Sequence, residues 1–201
     1  MKKLTVLIDM DDTIEYLGKA WVEYLNKRHG TNVQHNDLVF WDVSLAFPGL
    51  TNDQVYAPLF EDAFWEIVQP VPGASEAIKK LMDNGHHVYI VTASTWQTLP
   101  SKMRNVLFKY FPFLSWDQVI VTSNKQLIFG DILIDDAPHN LENGWYKKVL
   151  MDAPHNRDFD EKTIDAIRMY NWSDIYDYVM AYGEEMEEMM NKIIMEMEEF
   201  A

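Results

Sequence analysis

The sequence predicts an α/β protein: a doubly wound, Rossmann-like parallel sheet of about five strands with an inserted small helical cap domain. Short apolar runs recur along the chain, amphipathic helical segments alternate with them, and one stretch near the N-terminus breaks the alternation. Strands that alternate with helices form βαβ units, and the strands of such units are parallel. A length of 201 residues suits one such domain with an insertion.

Five apolar runs are the predicted strands. The first, residues 4–8, is partly β-branched and ends in acid, as expected of a strand buried on both faces of a sheet. The other predicted strands are residues 87–92, 118–122, 132–134 and 148–151. Residues 73–84 have apolar side chains at helical spacing with Gly85 as a C-terminal stop, and residues 96–111 fill the space between the second and third strands.

Residues 15–72 are the predicted cap, because they contain helical patterns at 18–29 and 51–68 and no convincing strand. The segment QPVPG at 69–73 is the predicted hinge that returns the chain to the sheet. The α/β core then consists of residues 1–14 and 73–183. Residues 184–201 carry seven Glu and one Lys, with Met and Ile at spacings of three and four. They predict an acidic, Met-rich amphipathic helix that docks on the core or on a partner subunit, with a frayed tail or a recognition helix as alternatives.

The composition excludes several classes of protein. Seventeen Lys and Arg against 32 Asp and Glu give a net charge of -15, which repels the phosphates of duplex nucleic acid. The absence of Cys excludes disulfides, thiolate zinc sites and cysteine nucleophiles. The apolar run near the N-terminus is too short for a signal peptide or a membrane span. We therefore expect a cytoplasmic protein without a membrane partner, and the sequence leaves a homo-oligomer open.

Acidic residues follow the first predicted strand. Asp9, Asp11 and Asp12 put three carboxylates within four residues, at the sheet edge where doubly wound proteins bind ligands. Clustered carboxylates repel one another unless a cation lies among them, and Mg²⁺ is the simplest hard cation with a preference for oxygen. By itself the pattern is also typical of solvated turn and helix-capping acids.

Other polar residues follow other predicted strands. They are Thr92 and Ser94, with Ala93 between them, at the end of the second, Lys125 after the third, and Asp135 with Asp136 after the fourth. A carboxylate nucleophile, phosphate ligands and an acidic Mg²⁺ cage together indicate phosphoryl transfer. Asp131 starts its strand at the opposite edge and is expected to be structural.

These motifs resemble, in the same order, the four motifs of the haloacid dehalogenase (HAD) superfamily of aspartyl-phosphate phosphohydrolases. They read DMDDT, VTAS, TSNK and DILIDD, and the resemblance spans about residues 4–152. More narrowly, PVPGASEAIKKL, KYFPFL followed by VIVTSNK, and DILIDDAPHN resemble the 5'(3')-deoxyribonucleotidases. The resemblance implies a Mg²⁺-dependent phosphatase that hydrolyses nucleoside monophosphates, by preference deoxyribonucleotides such as dUMP or dTMP, through an aspartyl phosphate.

The resemblance also implies roles for the acids. Asp9 would attack phosphorus, while Asp11 would protonate the leaving oxygen and later deprotonate the hydrolytic water. Mg²⁺ would be held by the Asp9 carboxylate, the Asp11 backbone carbonyl and an acid of the pair. Asp136 is favoured as that ligand, with Asp135 as its support.

The phosphate ligands implied by the resemblance are Thr92 and Lys125. Whether Ser94 or only backbone amides add to this cradle stays open. In the family, a Lys in the helix after the second motif also meets the phosphate. Here Met103 is at the aligned position, between Lys102 and Arg104, so whether this chain makes that contact is also open.

The cap supplies candidate residues for the nucleoside. Phe40, Trp41 and Trp65 are the aromatic side chains proposed to line the substrate pocket, where a pyrimidine could stack on one or two of them. A phosphatase for sugar or other small phosphate esters is an alternative with the same catalytic set. A non-catalytic phosphoacceptor or phosphate-binding module is the alternative of another class, and the presence of both Asp9 and Asp11 argues against it.

Overall fold

A computed structural model describes residues 1–199; residues 200 and 201, the end of the predicted C-terminal helix, lie outside the described residues. Six parallel strands form one sheet in the order β3-β2-β1-β4-β5-β6. They are β1 Thr5–Ile8, β2 His87–Thr92, β3 Val119–Val121, β4 Ile132–Asp135, β5 Lys147–Met151 and β6 Ala166–Met169. The predicted α/β fold is confirmed.

The strand count of about five is corrected to six by β6. This strand lies at the edge of the sheet, beside β5. Its sequence is AIRM, in which Ile167 is exposed and Arg168 donates hydrogen bonds to the backbone carbonyls of Asn156 and Phe159. An edge strand with one solvated face needs no continuous apolar run, so residues 166–169 carry no strand signal.

Helices cover both faces and the carboxyl edge of the sheet. They are α1 Leu17–His29, α2 Asn52–Tyr56, α3 Asp62–Trp65, α4 Ala74–Asp83, α5 Leu99–Lys102, α6 Phe108–Tyr110, α7 Pro138–Leu141 and α8 Trp172–Glu199. A π-helical turn, Met103–Leu107, joins α5 to α6. Short 3₁₀ turns cover His35–Asp37, Val43–Ala46, Ala57–Phe60, Trp116–Gln118, Lys125–Leu127, Pro154–Asn156 and Glu161–Ile164. Gly85 follows α4 with a φ of 86°, in agreement with its expected role as a stop.

Residues 51–68 are not one helix, contrary to the prediction from their apolar spacing. Thr51 and Gln54 form a capping box that begins α2. The chain then tightens into a 3₁₀ turn that contains Pro58, which lacks a backbone N–H, and Glu61 is extended before α3 begins. The apolar side chains therefore keep helical spacing through residues 51–68, although the helical conformation is interrupted twice there.

Alternate side chains of the sheet face two apolar layers. Leu7 and Leu133 point into the layer that contains Leu141 of α7. Val6 and Ile8 point into the larger opposite layer, which includes the buried faces of α1, α4 and α8. The strands are thus covered on both sides, and their carboxyl ends remain the edge at which polar side chains gather.

The chain leaves and rejoins the core at one place around residues 15–72. Tyr16 N donates to Gln69 O at 2.9 Å, and Val71 N donates to Ile14 O at 2.8 Å. Glu15 also forms an antiparallel bridge with Pro70. Between these crossings the structure has helices and turns, and no strand of the sheet.

The C-terminal helix α8 docks only through its first half. Trp172, Ile175 and Val179 are fully buried, and Trp172 Nε1 donates to Thr13 O at 3.0 Å. Residues 188–198 are all exposed, including Ile193. The prediction that residues 188–198 dock on the core is therefore wrong. These eleven helical residues extend about 16 Å beyond the core. Contact with a partner subunit stays a prediction. Among the described helices, none is long and apolar enough to cross a bilayer.

Candidate active site

The end of β1 presents the first acids. Asp9 N donates to Ile134 O at 2.8 Å, which continues the sheet pairing, and the Asp9 side chain is buried. Asp11 lies two residues later with a carboxylate one-third exposed. Asp12 then turns the chain with a φ of 50°, and both of its carboxylate oxygens accept from Gly18 N, at 3.0 and 3.1 Å.

Lys125 joins the ends of β1 and β4. Its ammonium donates hydrogen bonds to Asp9 and Asp135, 2.6 Å from Asp135 Oδ2, and is 1% exposed. Burial raises the pKa of Asp9 well above its usual range, and the charge of Lys125 opposes that rise. Burial alone would lower the pKa of Lys125, but the negative charges of Asp9 and Asp135 outweigh that effect and raise it. Lys125 therefore stays cationic beside the predicted nucleophile.

Asp135 and Asp136 differ in what their oxygens contact. Asp135 Oδ1 accepts from Ala137 N at 2.9 Å and from Asn140 Nδ2 at 3.1 Å, while Oδ2 accepts from Lys125. Both Asp135 oxygens are thus engaged in supporting neighbours. Asp136 is 2% exposed, and no donor among the described residues forms a hydrogen bond to its carboxylate.

The acids at this edge fit a divalent cation. Asp9, Asp135 and Asp136 each offer one oxygen, and these oxygens lie within 4.8 Å of one another. Burial and the neighbouring Asp135 raise the pKa of Asp136 well above its usual range, so a bound cation would relieve unfavourable charge there. A set of oxygen ligands suits a hard cation such as Mg²⁺.

The end of β2 supplies the predicted phosphate ligands, together with a lysine that the sequence left open. Lys102 Nζ donates to Thr92 Oγ1 and Ser94 Oγ, both at 2.9 Å, and to Asp11 Oδ2 at 2.7 Å. Its side chain is 1% exposed. Arg104 instead lies at the surface and pairs with an exposed acid. Lys102 is therefore the residue of this pair that reaches the site, while Ala93, between Thr92 and Ser94 in the sequence, is exposed.

Glu15 is a site residue that the sequence reasoning missed. Its side chain is fully buried, and neither carboxyl oxygen has a hydrogen-bond partner. Burial and the nearby Asp11 raise the pKa of Glu15 well above its usual range, which favours the neutral form of this carboxyl. Against the effect of burial, the Lys102 ammonium lowers the pKa of Asp11. The one available signal was an acid within the otherwise apolar segment TIEYL.

A cavity of about 400 Å³ opens between residues 15–72 and the acids. Asp11, Asp136 and His155 line it, together with Phe40 and Trp41, whose aromatic side chains are exposed. His155 is a further residue at the site that the sequence did not indicate. Burial lowers its pKa, which favours the neutral imidazole.

Of the two tryptophans predicted to line the substrate pocket, the structure places only Trp41 at the cavity. Trp41 lies edge-on to His155, with ring centroids 5.1 Å apart, and borders the cavity. Trp65 is 2% exposed, does not line the cavity, and donates from Nε1 to Leu59 O at 2.8 Å. Its ring packs in the apolar layer with Lys102 Nζ 5.8 Å from its centroid. A base cannot stack on a side chain buried in this way.

Two other residues lie away from the cavity. Asp131 is at the amino end of β4, where its carboxylate accepts from Lys2 Nζ at 3.0 Å and from Thr5 N at 2.7 Å. His139, which follows the acid pair, is exposed and packs edge-on against Trp41.

Comparison with known proteins gives consistent findings. A family model described as 5' nucleotidase, deoxy (pyrimidine), cytosolic type C protein matches residues 2–183. The 5'(3')-deoxyribonucleotidase of Bacillus subtilis (strain 168) is 36% identical over 177 residues, which cover 87% of this chain and 97% of that protein. A 5'(3')-deoxyribonucleotidase of Clostridium acetobutylicum is 34% identical over 157 residues, 78% of this chain and 86% of that protein.

Solved structures with low sequence identity share the fold. A haloacid dehalogenase-like family hydrolase from Streptococcus pneumoniae gives a TM-score of 0.63 at 14% identity, covering 88% of this chain and 98% of that one. A HAD family hydrolase from Deinococcus radiodurans R1, with bound phosphate and sodium, gives 0.58 at 15% identity, covering 90% and 96%. The resemblance drawn from the motifs is confirmed. The chain belongs to the family of deoxy (pyrimidine) 5' nucleotidases of cytosolic type C and is a phosphatase with the haloacid dehalogenase fold.

Proposed function

We propose that this protein is a Mg²⁺-dependent phosphomonoesterase that dephosphorylates nucleoside monophosphates, with deoxyribonucleotides such as dUMP and dTMP preferred. One observation carries the proposal: the buried Asp9 carboxylate lies at the same edge as Asp136 and two buried lysines, next to a cavity with aromatic walls. The proposal includes a cytoplasmic location, which the absence of Cys suits, and a division into a core and a cap at residues 15–72.

Asp9 is the nucleophile in this proposal. Its carboxylate attacks phosphorus, the bond from phosphorus to the nucleoside oxygen breaks, and an aspartyl phosphate forms. Water then attacks the same phosphorus, which releases inorganic phosphate and regenerates Asp9. Lys125 holds the carboxylate and neutralises charge on the phosphoryl group as it transfers.

Asp11 moves the proton in both half-reactions. It protonates the departing nucleoside oxygen and later accepts a proton from the attacking water. In the free site its carboxylate is paired with Lys102 at 2.7 Å. A phosphate dianion would draw that ammonium, Thr92 and Ser94 toward its own oxygens and would repel the Asp11 charge. Binding of substrate therefore favours the protonated Asp11 that the first step requires.

Asp9 and Asp136 would hold Mg²⁺ through their carboxylates, together with the backbone carbonyl of Asp11. The ion supplies positive charge that orients the phosphate and stabilises its developing charge. Asp135 acts on this site indirectly, because its oxygens already accept from Lys125 and Asn140.

The nucleoside is proposed to occupy the cavity beside Phe40 and Trp41. A volume of about 400 Å³ suits a small organic ligand, and both aromatic side chains are more than half exposed, so they can contact a base. The family model and the Bacillus and Clostridium relatives carry deoxynucleotide names, which supports a deoxyribonucleotide here. A sugar phosphate could use the same acids and lysines, but it would leave the aromatic wall without a partner.

A substrate panel with Mg²⁺ tests the proposal. We expect the highest kcat/KM for dUMP or dTMP, lower values for ribonucleotides and sugar phosphates, and no turnover in EDTA. Rapid quenching should trap phosphoenzyme in wild type and none in Asp9→Asn. A sugar phosphate as the best substrate would overturn the nucleotidase assignment, and full turnover in EDTA would overturn the Mg²⁺ requirement.

A further inference from the structure

A second group of possible metal ligands lies at the floor of the cavity. Asp12, Asp136 and His155 each offer one ligand atom, and these atoms lie within 4.8 Å of one another. The group shares Asp136 with the acids proposed to hold Mg²⁺. It differs from them in containing Asp12 and an imidazole nitrogen in place of Asp9 and Asp135.

The spacing between His155 and Asp136 is that of two ligands on one ion. Their atoms Nε2 and Oδ2 are 3.1 Å apart. Bonds of about 2.0–2.2 Å put neighbouring ligands about 2.8–3.6 Å apart for angles between octahedral and tetrahedral values. The His155 side chain is nine-tenths buried, and Nε2 has no hydrogen-bond partner despite its closeness to Asp136.

The backbone around Asp12 fixes its carboxylate at this floor. Asp12 has a φ of 50°, in the left-handed region that non-glycine residues seldom adopt. Both of its oxygens accept from Gly18 N, and a Cβ at residue 18 would lie 3.0 Å from Asp12 Oδ2. A glycine at position 18 thus permits the close approach that orients Asp12.

The turn that carries His155 is tied to Asp136 as well. Asn156 Nδ2 donates to Asp136 O at 2.6 Å and to Met151 O at 2.8 Å. Asn156 is 1% exposed, so these bonds are sheltered from water. The positions of His155 and Asp136 are therefore coupled through the residue next to the histidine.

We propose that Asp12, Asp136 and His155 form a second cation site, for a divalent transition metal such as Mn²⁺, Co²⁺ or Zn²⁺. An imidazole ligand suits these ions, whereas Mg²⁺ prefers oxygen. Three protein ligands leave further coordination positions open toward the cavity, where water or a ligand oxygen can bind. Asp136 would then contribute one carboxylate to both sites.

Equilibrium dialysis of the full chain against Co²⁺ in excess Mg²⁺ tests this site, with bound cobalt measured by elemental analysis and visible absorption. We expect one Co²⁺ per wild-type chain. His155→Ala and Asp12→Asn should each weaken binding at least tenfold. His139→Ala is the matched control, because that exposed imidazole packs on Trp41 as His155 does, and it should bind Co²⁺ as wild type. Asp9→Asn should also retain Co²⁺.

Several results would overturn the second site. The proposal fails if the wild-type protein binds no Co²⁺ in the presence of excess Mg²⁺. It also fails if His155→Ala and His139→Ala lose Co²⁺ binding equally. Loss of Co²⁺ in Asp9→Asn with retention in His155→Ala would mean that Co²⁺ had displaced Mg²⁺. Circular dichroism establishes that each variant is folded. The readout is metal content, so failure of this site and failure of the nucleotidase proposal are distinguishable.

Discussion

Replacement of Lys102 by Met tests the phosphate end of the site. The Lys102 side chain is 1% exposed, and its ammonium donates to Asp11, Thr92 and Ser94 at 2.7–2.9 Å. Met keeps most of the volume of the apolar stem and removes the charge with all three hydrogen bonds. The substitution therefore separates the contribution of the ammonium from that of packing.

The expected losses follow from these contacts. Removing one partner of a fully buried ion pair costs about 3–5 kcal/mol. Water reaches Asp11, which is 33% exposed, so we expect a smaller fall in unfolding free energy for Lys102→Met. Each hydrogen bond to a charged group contributes about 1.5–3 kcal/mol. Loss of a preorganised donor to the phosphoryl group should lower kcat by about 10² to 10³.

Arg104→Met is the matched control, two residues along the same segment. Its guanidinium pairs with Asp62 at 3.0 Å, and both side chains are 61% exposed. An exposed pair contributes at most about 1 kcal/mol, so this variant should keep near wild-type stability and kcat. Urea unfolding and initial rates with dUMP measure both quantities. Equal rate losses in the two variants, or a Lys102→Met kcat within threefold of wild type, would refute the reasoning.

Four further predictions use other parts of the chain. Trp41→Ala should lower kcat/KM for dUMP by about 5- to 150-fold, as expected for a stacking energy of about 1–3 kcal/mol, and leave that for p-nitrophenyl phosphate unchanged. Trp65→Ala should instead lower the unfolding free energy by about 3–5 kcal/mol, measured in urea, and both activities in parallel; a selective nucleotide loss there would contradict the geometry. Asp136→Asn should weaken Mg²⁺ binding in calorimetry far more than Asp131→Asn, whose carboxylate already binds a lysine and a main-chain amide at the other end of β4, and equal effects would put the ion elsewhere. Burial lowers the pKa of His86, whose Nδ1 accepts a main-chain N–H. As pH falls, His86 is therefore protonated in the unfolded chain before it is protonated in the folded chain. The unfolding free energy should then fall as pH drops below about 6.5, and His86→Leu should flatten that fall; an unchanged slope would exclude His86 as its source.

The strands that the sequence predicted well are those with a continuous apolar run, including the edge strand β3, which was predicted at 118–122 and spans Val119–Val121. β1, β2 and β5 were predicted within a residue or two at either end, because burial on two sides requires apolar residues at nearly every position. β6 has no such requirement at the sheet edge and was missed. Residues 51–68 show the converse case, where apolar spacing persisted although Pro58 and Glu61 interrupt the helix.

The residues of the site were predictable where sheet topology alone positions them. Asp9, Thr92 and Asp136 follow parallel strands, so their meeting at one edge follows from the fold class. The choice between Lys102 and Arg104 depended instead on helix phase. Positions two apart differ by about 200° around a helix, so one faces the site and the other faces solvent, and the sequence did not set that phase.

The two buried lysines explain how a chain with a net charge of -15 can bind a phosphate dianion. Lys102 and Lys125 are each 1% exposed and already paired with acids, so their charge is kept in the free site. Interactions between charges strengthen as water is excluded, whereas surface charges farther away than the Debye length of about 8–10 Å are screened. The acidic C-terminal part of α8 should therefore contribute little at the site. We expect affinity for phosphate to depend on these two ammonium groups and on the proposed cation rather than on the overall charge of the protein.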